Sequence, residues 1–314
     1  MKIQVIGSLL GYISEDKRED VEVAEELNKI CDTNIIPFSA IKEDKSVDVV
    51  LIIKQIYSIG ELEIVKKTYP NAKIAYWMPD FCKVETSGYF QGLVSNIDLY
   101  IGRHYYDSWI RENHIPYFYW NFDVALSIYK KEYNPNYPLR NLPEVVPVSF
   151  VFNWTHNQFR IDITREIQKA FPGQVHIVSF FSNELEASGL ENVNGHLFGS
   201  EFNYVVHRSK INLSIENSVD PGWWSPRTAR IMCAGGFPLV YYIYGMETVF
   251  KDYVVYFYSA EDAIGKIKYY LEHEEERKRI AERGYKWANR WLRPKYRVNK
   301  LYNRLLKLKS PATF

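Results

Sequence analysis

Short apolar runs alternate with segments of helical period along the chain. Ile3–Gly7 is apolar and ends in a Gly-Ser turn, and Val21–Ile30 repeats its apolar residues at helical spacing. Asn34–Pro37 and Asp48–Ile53 read as short buried strands, Glu61–Thr68 as a helix and Lys73–Trp77 as another strand. Leu99–Ile101, Tyr105–Asn113 and Tyr117–Trp120 continue as strand, helix, strand. Such alternation predicts βαβ units and a mainly parallel sheet.

The stretch KKEYNPNYPLRNLPEVVP, residues 130–147, breaks the pattern with four prolines. Proline lacks an amide donor and disfavours helix, so the stretch reads as a linker between domains. A second series follows. Val148–Phe152, Val175–Ser179, Ile211–Ile215, Phe237–Tyr241 and Val254–Tyr258 are predicted strands. Gln158–Phe171, Asn203–Arg208, Pro226–Ala234, Ala260–Leu271 and Glu274–Trp291 are predicted helices, and Tyr296–Leu308 resumes the helix after Pro294. The expected organisation is a first Rossmann-like domain at 1–130, a linker at 131–147, a second at 148–292 and a helical tail at 293–314. Doubly wound domains bind ligands where loops converge at the carboxyl ends of the strands, and two of them are expected to face one another across a cleft.

Composition narrows the function classes. The chain has 314 residues, 39 Lys and Arg against 38 Asp and Glu, and a formal charge of +1. That balance argues against a general binder of nucleic acid or anionic membrane. Cys31, Cys82 and Cys233 are widely spaced and form no CxxC pair, so they read as reduced thiols and point to the cytoplasm. The N-terminal MKIQVIGSLLGY lacks a cleavage pattern and reads as a first strand. No apolar run approaches the roughly 20 residues of a membrane helix. The many tyrosines and tryptophans are ordinary core material, with stacking on a sugar or base as the second reading.

The stretch SPRTARIMCAGGFPLVYY, residues 225–242, carries the candidate chemistry. Ser225 suits an N-cap and Pro226 a first helical position. Arg227 and Arg230 then share one face, near the end of the helix that is already partly positive. Cations there are unfavourable unless an anion binds, and the guanidinium fork matches two phosphate oxygens. The competing reading pairs both arginines with Glu216, Asp220 or Glu247. Gly235 and Gly236 end the helix and admit a tight turn into the next strand. Upstream, SIENSVDPGWW places Glu216, Asn217 and Ser218 at a strand's carboxyl end, and Trp223 and Trp224 either stack on a ligand or pack the loop. Gly7, Ser8 and Gly11 offer backbone that donor or acceptor can approach, but their spacing is not GxGxxG, which argues against a nicotinamide site.

With their surroundings, these residues resemble the group 1 glycosyltransferase-like family of the spore-maturation-protein type, related to the retaining family 4. The likeness is strongest from Val148 to Trp291. VPVSFVFNWTHNQFR matches the family's strand and Arg-bearing helix, with Arg160 at the matching place. SKINLSI resembles the strand before the donor loop, and RTARIMCAGGFPLVYY the Arg, small-residue helix, Gly-Gly and strand. YGMETVF, with Glu247, and YSAEDAIGKIKYYLEHEEERKRIAERGYKW follow in the family's order, and KIAYWMPDF resembles its first-domain strand ending in Asp. One position departs: the family has Glu where this chain has Arg230, so either Glu216 or Glu247 takes the donor ribose or activity is reduced. SIENSVDPGWWSPR also looks like the donor loop of α-fucosyltransferases, which keeps a GDP-sugar among the donors.

The resemblance implies an α/β fold of the GT-B class and a glycosyltransferase using a UDP- or GDP-sugar. The expected donor contacts are His156, Arg160, Glu216, Asn217, Ser218, Trp224, Arg227, Arg230, Gly235, Gly236 and Glu247. Arg227 and Arg230 are expected to stabilise the leaving diphosphate, and Asp80 to act as base if the reaction inverts. Gly7, Ser8, Gly11, Glu85 and His104 are the acceptor-side candidates. The chain contains no Asp-X-Asp, so no metal and no cofactor beyond the nucleotide-sugar substrate is expected. The acceptor, whether glycan, lipid or protein, stays open, as do the oligomeric state and the anomeric outcome. The basic tail, from Lys295 to Lys309, is expected to cross back onto the first domain in preference to touching a membrane. The alternatives are a non-catalytic sugar- or nucleotide-binding protein on the same scaffold and a nucleotide-sugar epimerase.

Overall fold

The computed structural model describes residues 1–7, 19–53, 56, 58–78, 87–102, 108–120, 128–133, 142–152, 157–195 and 201–309. The chain divides into two compact units. Unit 1 comprises Met1–Phe122 with Pro221–Trp223 and Pro294–Phe314; unit 2 comprises Asp123–Asp220 and Trp224–Arg293.

Unit 1 is built on six parallel strands: β1 (Lys2–Ile6), β2 (Asp32–Ile36), β3 (Val49–Ile53), β4 (Lys73–Trp77), β5 (Leu99–Gly102) and β6 (Tyr117–Tyr119). Their order is β2-β1-β3-β4-β5-β6, so the direction of winding reverses between β1 and β3. The β3 sequence VVLII is buried throughout, as expected for a parallel strand covered on both faces. Among the described residues, the α-helices that connect the strands are α1 (Glu19–Asn28), α2 (Ile59–Thr68), α3 (Gly88–Val94) and α4 (Ser108–Glu112). Ser58 and Glu61 start α2 as a reciprocal cap: Ser58 Oγ accepts from the Glu61 amide at 3.1 Å and donates to its carboxylate at 3.0 Å.

Unit 2 repeats the plan with β7 (Val146–Val151), β8 (Val175–Ser179), β9 (Val193–Gly195), β10 (Ser209–Ser214), β11 (Pro238–Tyr241) and β12 (Val255–Phe257). All are parallel and run in the order β12-β11-β10-β7-β8-β9, reversing between β7 and β10. The helices are α5 (Gln158–Ala170), α6 (Ser182–Ala187), α7 (Glu201–Arg208), α8 (Arg227–Cys233), α9 (Met246–Phe250), α10 (Ala260–Glu272) and α11 (Glu274–Trp291). One apolar cluster lies on each sheet face, one centred on Trp224, Met232 and Phe250, the other on Phe150, Ile167 and Phe257.

The last helix, α12 (Pro294–Lys309), belongs to unit 1. It buries Val298, Leu301 and Leu305 on one face and packs against α1. Lys309 ends it in an ion pair with Asp48 at 2.7 Å.

Several boundaries differ from the sequence reading. β7 begins at Val146, inside the proline-rich stretch, and Tyr129 and Leu142 are buried in a core of unit 2. Pro226 caps α8 in place of starting it, although Ser225 Oγ does accept from the Arg227 amide at 3.4 Å. The helix ends in a Schellman turn, with Gly235 N–H donating to Met232 O at 3.0 Å and Gly236 N–H to Ile231 O at 2.9 Å. Gly235 sits at φ +84°, a conformation that other L residues rarely adopt. A Cβ on Gly236 would collide with Asn212 Oδ1 and Val206.

Candidate functional site

In unit 2 the winding reverses between β7 and β10, which leaves a gap between diverging connections at the carboxyl end of the sheet. Arg227, the first residue of α8, reaches into that junction. Its Nε donates to Val151 O at 2.8 Å, where β7 ends. Its Nη1 donates to Ile215 O at 3.1 Å and to Glu216 Oε2 at 3.3 Å, just beyond β10. One guanidinium thus ties the ends of both strands together. Among the described residues its Nη2 has no hydrogen-bond partner.

The surrounding loops are fixed by local polar contacts. Asn157 caps α5, accepting from the Arg160 amide at 3.0 Å. Its side-chain amide donates to Asn217 O, which ties the start of α5 to the segment after β10. Ser218 Oγ donates to Asp220 at 2.6 Å and accepts from the Asp220 amide at 3.2 Å, a local turn. Behind Glu216, Thr228 donates to Ser214 Oγ at 3.0 Å, and Ser214 donates to the carboxylate at 3.4 Å.

Among the described residues, Arg160 and Arg227 stand near Glu216, and Arg230 stands near Arg227. Arg160 is only 1 % exposed, and its guanidinium lies 5.0 Å from the Phe152 ring centre. Burial first, then the charge of Arg227, pushes its pKa down to about 9, while Glu216 opposes the fall. Burial likewise lowers Arg227, with Glu216 holding it up and Arg230 pressing it down. Arg230 is half-buried and lies over Tyr129, 4.9 Å from the ring centre. Glu216 is 1 % exposed. Like charges brought together out of water are costly, and an anion placed among them relieves both the desolvation and the repulsion. The chemistry on offer is capture of an anion by forked donors.

The sequence left two readings for the arginines, and the structure realises part of each. Arg227 does pair with Glu216, while Arg160 lies near both and Arg230 lies near Arg227. Glu247 stands elsewhere: it accepts from the Gly245 amide at 3.0 Å, and, after burial, its charge beside the Tyr242 hydroxyl helps to raise that group's pKa. Trp224 is 1 % exposed and packs on Phe250 with ring centres 5.9 Å apart, so its ring is part of the core and no stacking face is left open. Gly235 and Gly236 serve the Schellman turn. Gly7 follows β1, where a Cβ would come within 2.8 Å of Asp20 Oδ2. Ser8, Gly11, Asp80, Glu85, His104 and His156 lie outside the described residues.

Some members of the site escaped the sequence reading. Asn157, Tyr129 and the carbonyls of Val151 and Ile215 all hold the arginines or their supports. Asn157 was legible as an N-cap just before an amphipathic run. In unit 1, Asp20 is a buried carboxylate beside Gly7. Its signal was its place on the apolar face of α1, in step with Val23, Ala24 and Leu27. Among the described residues no group of three or more His, Cys, Asp or Glu is placed to hold a metal ion. No described helix is long and apolar enough to cross a membrane.

Two Rossmann-like units with an arginine cluster at a switch point define an α/β protein of the GT-B class, and solved structures agree. Sucrose-phosphate synthase from Thermosynechococcus elongatus aligns with a TM-score of 0.66 at 9% identity, over 98% of this chain and 99% of that one. Anabaena HepE in complex with UDP and glucose aligns at 0.65 and 12%, over 98% and 99% of the two chains. T4 phage BGT in complex with its UDP-glucose substrate aligns at 0.62 and 14%, over 97% and 99%. Residues 160–303 match the family model described as glycosyl transferase-like, which bears out the group 1 glycosyltransferase-like resemblance. No curated protein matches the sequence.

Proposed function

We propose that the protein is a glycosyltransferase that moves a sugar from a nucleotide-sugar donor to a hydroxyl-bearing acceptor without a metal ion. The observation that carries this reading is the run of neighbouring guanidinium groups at the switch point of unit 2, with Arg160 and Arg227 beside Glu216 and Arg230 beside Arg227. In the proposed complex the donor diphosphate meets the forked donors, first the open Nη2 of Arg227. Charge developing on the leaving diphosphate is then stabilised by cations already held in place, so little reorganisation accompanies the transfer. Glu216 positions Arg227 and offsets part of the cluster's positive charge. Asp80 is the proposed base for an inverting reaction. HepE and T4 phage BGT, which share the fold, are described with UDP or UDP-glucose, and this favours a UDP-sugar over a GDP-sugar.

The test is sugar release and transfer from UDP-glucose and GDP-fucose, in buffer with EDTA and with manganese. Activity that persists in EDTA supports the reading; loss in EDTA with rescue by manganese contradicts metal independence. Asp80→Asn should abolish transfer and spare donor binding, and full turnover would remove Asp80 from the mechanism. A second reading is a non-catalytic nucleotide-binding protein on the same scaffold. It draws on Arg230, which stands on Tyr129 where the family resemblance expects a carboxylate. Tight UDP binding with no turnover on any donor would favour it.

A further inference from the structure

A cavity of about 460 Å³ opens in unit 2 where β10 and β11 begin, α7 ends and α11 starts. The arginine cluster lies where the strands end. A six-residue strand spans about 20 Å, so the cavity and the cluster occupy opposite edges of one sheet. The volume falls in the range of small-molecule sites, roughly 300–1,000 Å³.

The cavity wall is mainly cationic. Of the basic side chains on it, Lys278 is paired with Glu274 at 2.6 Å, and Arg208 donates to Pro143 O at 3.1 Å while lying over Tyr204. Two others retain binding capacity. Lys210 has no hydrogen bond or ion pair among the described residues. Arg277 is 6 % exposed, yet its only side-chain hydrogen bond among the described residues runs from Nη1 to Tyr270 O. A guanidinium has five N–H donors, so most of this one's remain unused at the cavity wall. Burial lowers its pKa, with only Glu274 opposing, which is the electrostatic mark of a cation short of counter-charge.

The rest of the wall suits a polyhydroxylated ring. Tyr133 stacks on His207 with ring centres 4.7 Å apart and presents an aromatic side, while Ser209 and Glu144 supply a hydroxyl and a carboxylate for sugar hydroxyls. We propose that this cavity binds a sugar phosphate, its phosphate held by Arg277 and Lys210 and its ring against Tyr133. Two neighbouring cations match a phosphate dianion better than a single carboxylate, and the fork of Arg277 suits two phosphate oxygens. The site is independent of the arginine cluster, so an effector bound there leaves the proposed donor site open.

Calorimetric titration of glucose 6-phosphate into the whole protein tests this, with inorganic phosphate and glucose as separate probes. Glucose 6-phosphate should bind the native protein, and bind at least about tenfold more tightly than inorganic phosphate or glucose. Lys210→Glu, at a partly exposed position, should weaken it by about tenfold or more, the loss expected for a charged hydrogen bond. Arg277→Gln should do the same, and Arg230→Gln should leave it unchanged. Absence of binding at millimolar glucose 6-phosphate would overturn the proposal. So would loss in Arg230→Gln with none in Lys210→Glu, because the phosphate would then occupy the arginine cluster. Equal affinity for inorganic phosphate would overturn the sugar part.

Discussion

Each sheet sets two parallel strands side by side where the winding reverses, β1 beside β3 in unit 1 and β7 beside β10 in unit 2. In unit 2 this junction is bridged by Arg227 and surrounded by two further guanidinium groups. In unit 1 the corresponding place holds Gly7 against the buried carboxylate of Asp20, with Ile56 fully buried nearby in the chain. The backbone plan is alike, while the described side chains differ: guanidinium groups at the second junction, a carboxylate at the first. Topology therefore sets where a ligand can approach, and side chains decide which ligand it is.

The largest effect expected from this comparison is on stability. Arg227→Ala strips the partner from a carboxylate that is 1 % exposed and also unties the ends of β7 and β10. Breaking such a buried pair costs about 3–5 kcal/mol. The double variant Glu216→Gln/Arg227→Gln should recover much of that loss in urea denaturation, because no unpaired charge remains. Equal losses in both would mean that the ion pair is unimportant.

Next in size is the turn after α8. Gly236→Ala drives a Cβ into Asn212 and Val206 and should cost about 1–3 kcal/mol as overpacking. Gly235→Ala, at φ +84°, should cost about 1 kcal/mol through backbone strain. Thermal unfolding of the two variants checks the order. A matching substitution in unit 1, Gly7→Ala, should destabilise through Asp20 and leave UDP affinity unchanged. A weakened UDP affinity in that variant would erase the distinction between the junctions. The smallest effect concerns Cys233. Burial pushes its thiol up to about 12, so iodoacetamide should spare it in the native protein at pH 8 and modify it in urea.

Much of this organisation was legible in the sequence. β4 and α11 have the bounds that periodicity predicts, and the two α/β series appear in order. Elements that escaped are short. α3, α6 and α9 have 7, 6 and 5 residues, too few for a helical period to repeat convincingly. β9 has 3, Val-Asn-Gly, without β-branched alternation. At the site, Glu216, Arg227 and Arg230 stood out by residue type and position, and Arg160 through the family resemblance. The backbone carbonyls that hold Arg227 did not, because the bond from Arg227 to Val151 spans 76 residues and exists only once the sheet is assembled. Trp224 was undecidable from sequence, since a core ring and a stacking ring have the same composition around them; packing against Phe250 settles it.

The central claim is that the cationic junction of unit 2 binds the diphosphate of a nucleotide. The direct measurement is calorimetric titration of UDP, without metal, into the native protein, Arg230→Gln and Glu216→Gln/Arg227→Gln. Micromolar binding that weakens by about 1–3 kcal/mol in each variant, the loss expected for charged hydrogen bonds, is the predicted result. Unchanged UDP affinity in both variants would contradict it and leave the arginines with a purely structural task.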